Sequence, residues 1–271
     1  MDTRPIGVFD SGLGGLTAVR ELGHLLPGED IVYFGDTGRV PYGSRSRDTI
    51  IKYARQDVAF LNTFDLKAIV IACGTVSTTA LEVLRAENRI PILGVVEPAA
   101  QRAAEVSRNG RIGLIGTEAS IRSGAYERTL ARLRPEAVVF PQACPLFVPL
   151  VENGRFERGD AVAELVVEEY LSGLKGHWVD TLVLGCTHYP LLRAVIGAYM
   201  GPDVALVDAG GACAGQVAGL LRTSDALNGR QAGGRRRYFV TDSVDGFARL
   251  ASLFLGEDVV EQVQQVDITS F

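Results

Sequence analysis

Short uninterrupted apolar runs recur along this chain: Ile6-Gly7-Val8-Phe9, Ile31-Val32-Tyr33-Phe34, Ala68-Ile69-Val70-Ile71-Ala72 and Leu182-Val183-Leu184. A run of this length without polar alternation suits a strand buried on both faces, the condition of a parallel sheet covered by helices. Helix-length stretches lie between the early runs, from Gly12 to Leu26 and from Arg47 to Phe64. Strand alternating with helix predicts an α/β fold, because parallel neighbours need a crossover connection and a helix is the usual one.

The pattern then restarts. After Gly94-Val95-Val96-Glu97-Pro98, the segment Arg111-Ile112-Gly113-Leu114-Ile115-Gly116-Thr117 repeats the form of Arg4-Pro5-Ile6-Gly7-Val8-Phe9-Asp10, a strand followed by a polar turn and a helix. We expect two pseudo-symmetric α/β domains, each a mostly parallel sheet flanked by helices, with the active site at their interface. The first comprises residues 1–97 plus 208–271 and the second residues 98–207, since the tail from Asp208 has no earlier equivalent and can return to complete the first.

Two cysteines occupy matching places in these halves. Cys73 follows Ile69-Val70-Ile71-Ala72 and precedes Gly74-Thr75, while Cys186 follows Leu182-Val183-Leu184-Gly185 and precedes Thr187-His188. Each thiol is expected at the carboxyl end of a strand, where open α/β sheets form their binding crevice. Brought face to face, they would put one sulfur on either side of a small ligand. The four cysteines, at 73, 144, 186 and 213, lack the crowding of a disulfide framework, and no CxxC pair or His/Cys cluster has metal spacing. Reduced thiols, no metal and a cytoplasmic setting are the expectation.

Composition narrows the partners. A net charge of −5 and a pI near 5.3 argue against a nucleic-acid surface. Arg235-Arg236-Arg237 is the only tight basic run, and it reads as a solvated loop leading into a strand at Tyr238-Phe239-Val240. Met1-Asp2-Thr3-Arg4-Pro5 passes into the first strand with no signal-peptide pattern, and no apolar stretch reaches membrane-spanning length. The sequence does not fix oligomeric state, and a homodimer stays open.

The polar residues at strand ends carry the chemistry. Asp10-Ser11-Gly12-Leu13-Gly14-Gly15-Leu16-Thr17 lacks the third glycine of a dinucleotide fingerprint. The Asp10 carboxylate would repel phosphate, whereas it suits a substrate ammonium or a proton-exchanging thiol; a simple helix cap is the alternative. The turn-rich Gly35-Asp36-Thr37-Gly38-Arg39-Val40-Pro41-Tyr42-Gly43-Ser44 can wall the crevice. His188, beside Cys186, can tune the thiol or pass it protons. Two duplicated thiols with no acylation triad point to proton transfer, one removing a proton from carbon and the other returning one from the opposite face. Two buried core cysteines, a redox pair and a non-catalytic binding protein remain open at this level.

Phe9-Asp10-Ser11-Gly12-Leu13-Gly14-Gly15-Leu16, Gly35-Asp36-Thr37 with Pro41-Tyr42-Gly43, Leu150-Val151-Glu152-Asn153-Gly154 and Gly185-Cys186-Thr187-His188-Tyr189-Pro190 together resemble the cofactor-independent glutamate racemases of the aspartate/glutamate racemase superfamily. The resemblance spans nearly the whole chain. It implies a two-base racemase without cofactor that interconverts L- and D-glutamate and supplies D-glutamate for peptidoglycan. It implies Cys73 and Cys186 as the acid/base thiols, with Asp10 assisting the first, His188 the second, and Glu152 on the His188 side. Ser11, Tyr42, Gly43, Thr75 and Thr187 resemble the groups that hold the substrate, joined by Asp10, His188 and the backbone of Gly74. Cys144 and Cys213 match no catalytic position and read as core or surface residues. Members usually carry Asn after the first cysteine, where this chain has Gly74. A racemase for another compact acid, such as aspartate or a hydantoin, is the nearest alternative.

Overall fold

The computed structural model describes residues 1–271. Strands β1 (Ile6–Asp10), β2 (Ile31–Gly35), β3 (Ala68–Ile71) and β4 (Ile92–Gly94) come first in the chain. They are followed by β5 (Arg111–Gly116), β6 (Val138–Ala143), β7 (Thr181–Leu184) and β8 (Ala205–Asp208), and then by β9 (Arg236–Val240) and β10 (Val263–Gln265). They form two wholly parallel sheets, one in the order β10-β9-β2-β1-β3-β4 and the other β6-β5-β7-β8.

The continuous apolar runs reflect burial on both faces. In β3, Ala68 and Val70 join one hydrophobic cluster, while Ile69 and Ile71 join another on the opposite face. This alternation follows from the two-residue period of a strand. The second cluster lies under the helix Arg47–Leu61, with Phe34 and Phe60 in contact at 4.9 Å between ring centres. Burying a side chain of this size contributes about 1.5–3 kcal/mol, which makes each such strand a strong organiser.

Two helices carry the chain between the sheets. Val96–Val106 leads from β4 to β5, and Ala209–Thr223 leads from β8 back to β9. They pack on each other, and the second also packs against the helix Leu16–Leu25. One continuous core therefore joins Val8 and Leu16 through Ala99 and Val217 to Leu182 of the second sheet. The Asp208 carboxylate caps Ala209–Thr223 by accepting the Gly210 and Gly211 N–H groups at 2.8 and 3.2 Å, fixing where the chain turns back.

Two local expectations need correction. The first helix begins at Leu16, not Gly12. The Gly12 N–H donates to the Asp10 carboxylate at 2.9 Å, and the Gly12 carbonyl accepts from the Tyr33 hydroxyl at 2.9 Å, so these groups hold Gly12 in a loop. The arginine run is a loop only at Arg235, since Arg236 and Arg237 open β9. Its charges disperse: Arg236 meets Glu257 at 2.5 Å, Arg235 lies 3.8 Å from Asp30, and Arg237 sits over the Phe64 ring.

At the amino end of the first sheet, Lys67 and Glu29 form a buried ion pair at 2.5 Å. Lys67 Nζ also donates to the Asp2 and Ala226 carbonyls, both at 2.9 Å, tying the amino terminus to the segment before β9. Removing one partner strands the other charge in a dry site. Lys67→Met is expected to lower stability by about 3–5 kcal/mol, measured by urea unfolding, and adding Glu29→Gln should recover part of the loss. A single variant as stable as the parent would contradict this account.

Candidate active site

The carboxyl ends of β1 and β3 face those of β5 and β7 across a cavity of about 380 Å³. Sequence folds the thiols there for a local reason. β3 ends at Ile71 and the helix Gly74–Thr79 starts two residues after Ala72, leaving Cys73 at the turn; β7 ends at Leu184, leaving Cys186 at the equivalent turn. Both are almost fully buried, and both are free thiols. From the first half, Asp10, Ser11, Tyr42, Gly43, Cys73, Gly74 and Thr75 line the cavity; from the second, Glu152, Cys186, Thr187 and His188 do so. Every site residue expected from sequence thus borders one space.

On the Cys73 side the surroundings favour uncharged forms. Ser11 Oγ lies 3.3 Å from Cys73 Sγ. Burial, reinforced by the nearby Asp10 charge, pushes the Cys73 thiol up to about 12, against the opposing pull of Ser11. Burial also raises the Asp10 carboxyl, although the charge of His188 and the N–H groups of Gly15 and Gly12 work against it. At neutral pH Cys73 holds its proton. Asp10 bonds to the turn rather than capping the following helix, whose N-cap Gly15 has no side-chain cap.

The Cys186 side is arranged for charge. His188 Nδ1 is 3.9 Å from Cys186 Sγ, and Nε2 is 3.1 Å from Glu152 Oε1. Burial opposes the imidazolium, yet hydrogen bonds to Cys186 and Glu152, with the charges of Cys186 and Asp10, outweigh it and lift His188 to about 10. The ring is held by its neighbours. Phe254 meets it edge-on at 5.6 Å between ring centres, and a Cβ on Gly14 would lie 2.4 Å from Nδ1, so only glycine fits beside it.

Tyr42 is a cavity-lining residue whose hydroxyl is engaged elsewhere. It donates to Asp36 and lies 3.2 Å from Asp57, and both of these carboxylates are buried. Arg39 bridges them, with Nε 2.5 Å from Asp36 and Nη2 2.9 Å from Asp57. Burial and the neighbouring Asp36 hold the Asp57 carboxyl well above the usual range, although Arg39 and the Tyr42 hydroxyl work against it, and the two acids share one guanidinium. This buried cluster anchors the turn Tyr42–Ser44 at the cavity wall.

Other lining residues escaped sequence reasoning. Thr117 links the halves, its Oγ1 3.1 Å from Thr75 Oγ1 and 3.0 Å from Ser120 Oγ. The signal was available, since Thr117 stands where the internal repeat puts the counterpart of Ser11. Glu118, Pro145, Val148 and Pro149 complete the second half's wall and carry no comparable mark in the sequence. Cys144 is fully buried and also borders the cavity, where burial holds its thiol well above the ordinary range. Cys213 lies in the core.

Known proteins are similar to this chain over nearly their whole length. The glutamate racemase of Geobacter metallireducens is 50% identical over 256 residues, 94% of each chain. A crystal structure of a glutamate racemase isoform from Bacillus anthracis superposes with a TM-score of 0.92 at 37% identity, covering 98% of both chains. That of a Francisella tularensis glutamate racemase, solved in complex with D-glutamate, gives a TM-score of 0.91 at 36% identity and covers both chains completely. A sequence model of the family described as Asp/Glu/Hydantoin racemase matches residues 19–217, a span that includes both thiols, Glu152 and His188. With the fold, the full-length similarity and the family pattern in agreement, the chain belongs to the Asp/Glu/Hydantoin racemase family and is an amino-acid racemase, an isomerase.

Proposed function

We propose that this racemase interconverts L- and D-glutamate by a two-base mechanism in which Cys186 and Cys73 act on opposite faces of the substrate. The observation that carries the reading is the pair of buried thiols, contributed by opposite halves to one cavity and each with its own proton-handling neighbour. Full-length similarity to glutamate racemases, one of them solved with D-glutamate, supports the substrate. A bacterial enzyme of this kind would supply D-glutamate to peptidoglycan from the cytoplasm.

In the L-to-D direction the Cys186 thiolate takes the Cα proton, and the electron pair left on Cα is delocalised into the adjacent carboxylate. The Cys73 thiol then gives its proton to the opposite face, ending as a thiolate while Cys186 ends as a thiol. The reverse direction exchanges these roles. The imidazolium of His188 lies 3.9 Å from the Cys186 sulfur and stabilises negative charge there, and Glu152 keeps that imidazolium charged and oriented. Asp10, raised by burial, serves Cys73 as a proton partner. Ser11, Gly43, Thr75 and Thr187, with Tyr42 through its backbone because its hydroxyl is given to Asp36, are assigned to the substrate's carboxylates and ammonium, donors that a developing carbanion needs. Residues 1–97 with 208–271 and residues 98–207 act as two domains closing on the ligand.

The purified protein without added cofactor is expected to racemise L-glutamate far faster than L-aspartate and, in D2O, to return the product with deuterium at Cα. Cys73→Ala and Cys186→Ala should each lose roughly 10³-fold or more in turnover, in line with removal of an acid/base group. Full activity in either variant would sink the two-base scheme, whereas faster turnover of L-aspartate would overturn only the substrate.

The pH profile offers a separate check. His188 titrates above its ordinary value, so its imidazolium is present through neutral pH and is lost as pH rises through about 10. Glu152→Gln removes one of the hydrogen bonds that raise it. The alkaline limb of the L-glutamate rate profile should move to lower pH by about one unit, and an unmoved limb would remove Glu152 from this role.

A further inference from the structure

We infer that Thr241 is a positioning residue for the racemase site: from outside the cavity it holds the turn that forms the wall on the Cys73 side, and through that turn it sets the affinity for substrate. The activity readout rests on the function proposed above. β2 and β9 lie side by side and end level, Gly35 opposite Val240, so Asp36 and Thr241 leave the sheet as neighbours. A threonine hydroxyl has one proton to give and lone pairs to receive. Thr241 uses both on one loop, its Oγ1 donating to Asp36 Oδ1 at 2.9 Å and accepting the Gly38 N–H at 2.8 Å. The loop reciprocates, for Thr37 Oγ1 accepts the Asp242 N–H at 3.0 Å. Two threonines thus clasp together the segments that follow β2 and β9.

Asp36 carries the effect of the clasp inward. Its carboxylate is fully buried, so its charge depends on the donors around it. Oδ1 takes the Thr241 hydroxyl, while Oδ2 takes Arg39 Nε at 2.5 Å and the Tyr42 hydroxyl. The two oxygens belong to one rigid plane. Releasing Oδ1 frees that plane to rotate, and the rotation displaces the partners of Oδ2. Tyr42 opens the turn Tyr42–Ser44, which borders the cavity together with Val40 and Pro41. A hydroxyl in the returning tail is therefore two hydrogen bonds away from the wall.

The consequence is selective. Cys73, Ser11, Cys186 and His188 stand at the ends of β3, β1 and β7, and Thr241 makes no hydrogen bond to any of them. Losing its hydroxyl leaves the proton-transfer groups in place and loosens a wall that meets substrate and transition state alike. An interaction of that kind acts on KM and leaves kcat nearly unchanged. A hydroxyl that served the fold alone would change stability and leave KM unmoved.

Thr241→Val keeps the shape of the side chain and removes the hydroxyl. It is expected to raise KM for L-glutamate roughly tenfold, the scale of one lost hydrogen bond to a charged group, with kcat close to the parent's. Thr241→Ser restores a hydroxyl and should return KM toward the parental value. In ligand-free protein the Arg45 N–H, which donates to the Tyr42 carbonyl at 2.9 Å, reports on the turn directly. Its hydrogen exchange in D2O should be several-fold faster in Thr241→Val and parental in Thr241→Ser. This exchange involves no substrate, so it still decides the matter if the parent protein turns over a different acid. Parental exchange at Arg45, a fall in kcat with KM unmoved, or a serine variant no better than valine would each overturn the inference. So would loss of folding in Thr241→Val by circular dichroism, because a loosened turn leaves both sheets intact.

Discussion

Desolvation of the titratable groups that line the cavity is the constraint on which the candidate site depends. Asp10, Cys73, Cys186 and His188 are all nearly inaccessible to water, and they come from opposite halves of the chain. In such a setting an ionised group survives only where a partner compensates it, so each group's protonation is dictated by its immediate neighbours. Cys73 has Ser11 and an acid close by, and it stays neutral. His188 has a carboxylate on one nitrogen and a thiol on the other, and it stays charged despite burial. The same fold thus surrounds two like thiols with unlike neighbours.

That difference follows from the second half lacking an Asp10. At the matching turn it carries Thr117, a neutral hydroxyl that bonds to Thr75 and Ser120. The charge instead arrives from the helix Phe147–Glu152, whose last residue reaches His188. The pseudo-symmetry is therefore one of backbone and of the thiols, while the groups that serve the thiols differ in kind. The two-base exchange proposed above does not need identical halves; it needs one side able to hold a proton and the other able to release one.

Much of this was legible in the sequence, and the reasons are specific. Strands such as Ala68–Ile71 and Thr181–Leu184 are buried on both faces, so their composition alone marks them, and the thiols and His188 follow from adjacency. The helix start at Leu16 was not legible, because the Asp10 side chain, which holds the Gly12 N–H, and a tyrosine hydroxyl from the neighbouring strand decide it. The Asp36–Arg39–Asp57 cluster was hidden for a similar reason, since Asp57 lies on a helix face whose apolar pattern gives no hint of a buried carboxylate. Thr117 could have been found from the internal repeat. Glu152 entered only through the resemblance, for no local pattern connects it with a histidine 36 positions away.

The chain's return to the first sheet explains why the site needs residues that never line it. β9 pairs with β2, which places Thr241 where its hydroxyl donates to Asp36 at 2.9 Å and accepts the Gly38 N–H at 2.8 Å. Asp36 in turn takes the Tyr42 hydroxyl, so the wall of the cavity on the Cys73 side is braced by the tail. Farther along, Phe254 lies against the edge of His188 and braces the other side. Beneath Tyr42, Arg39 spans Asp36 and Asp57, and burial pushes the Asp57 carboxyl up, so one guanidinium ties the cluster into a buried anchor for that wall. One continuous segment thus fixes the turn that borders the cavity and the imidazole beside Cys186, and this ties the geometry of both sides of the candidate site to the same sheet edge.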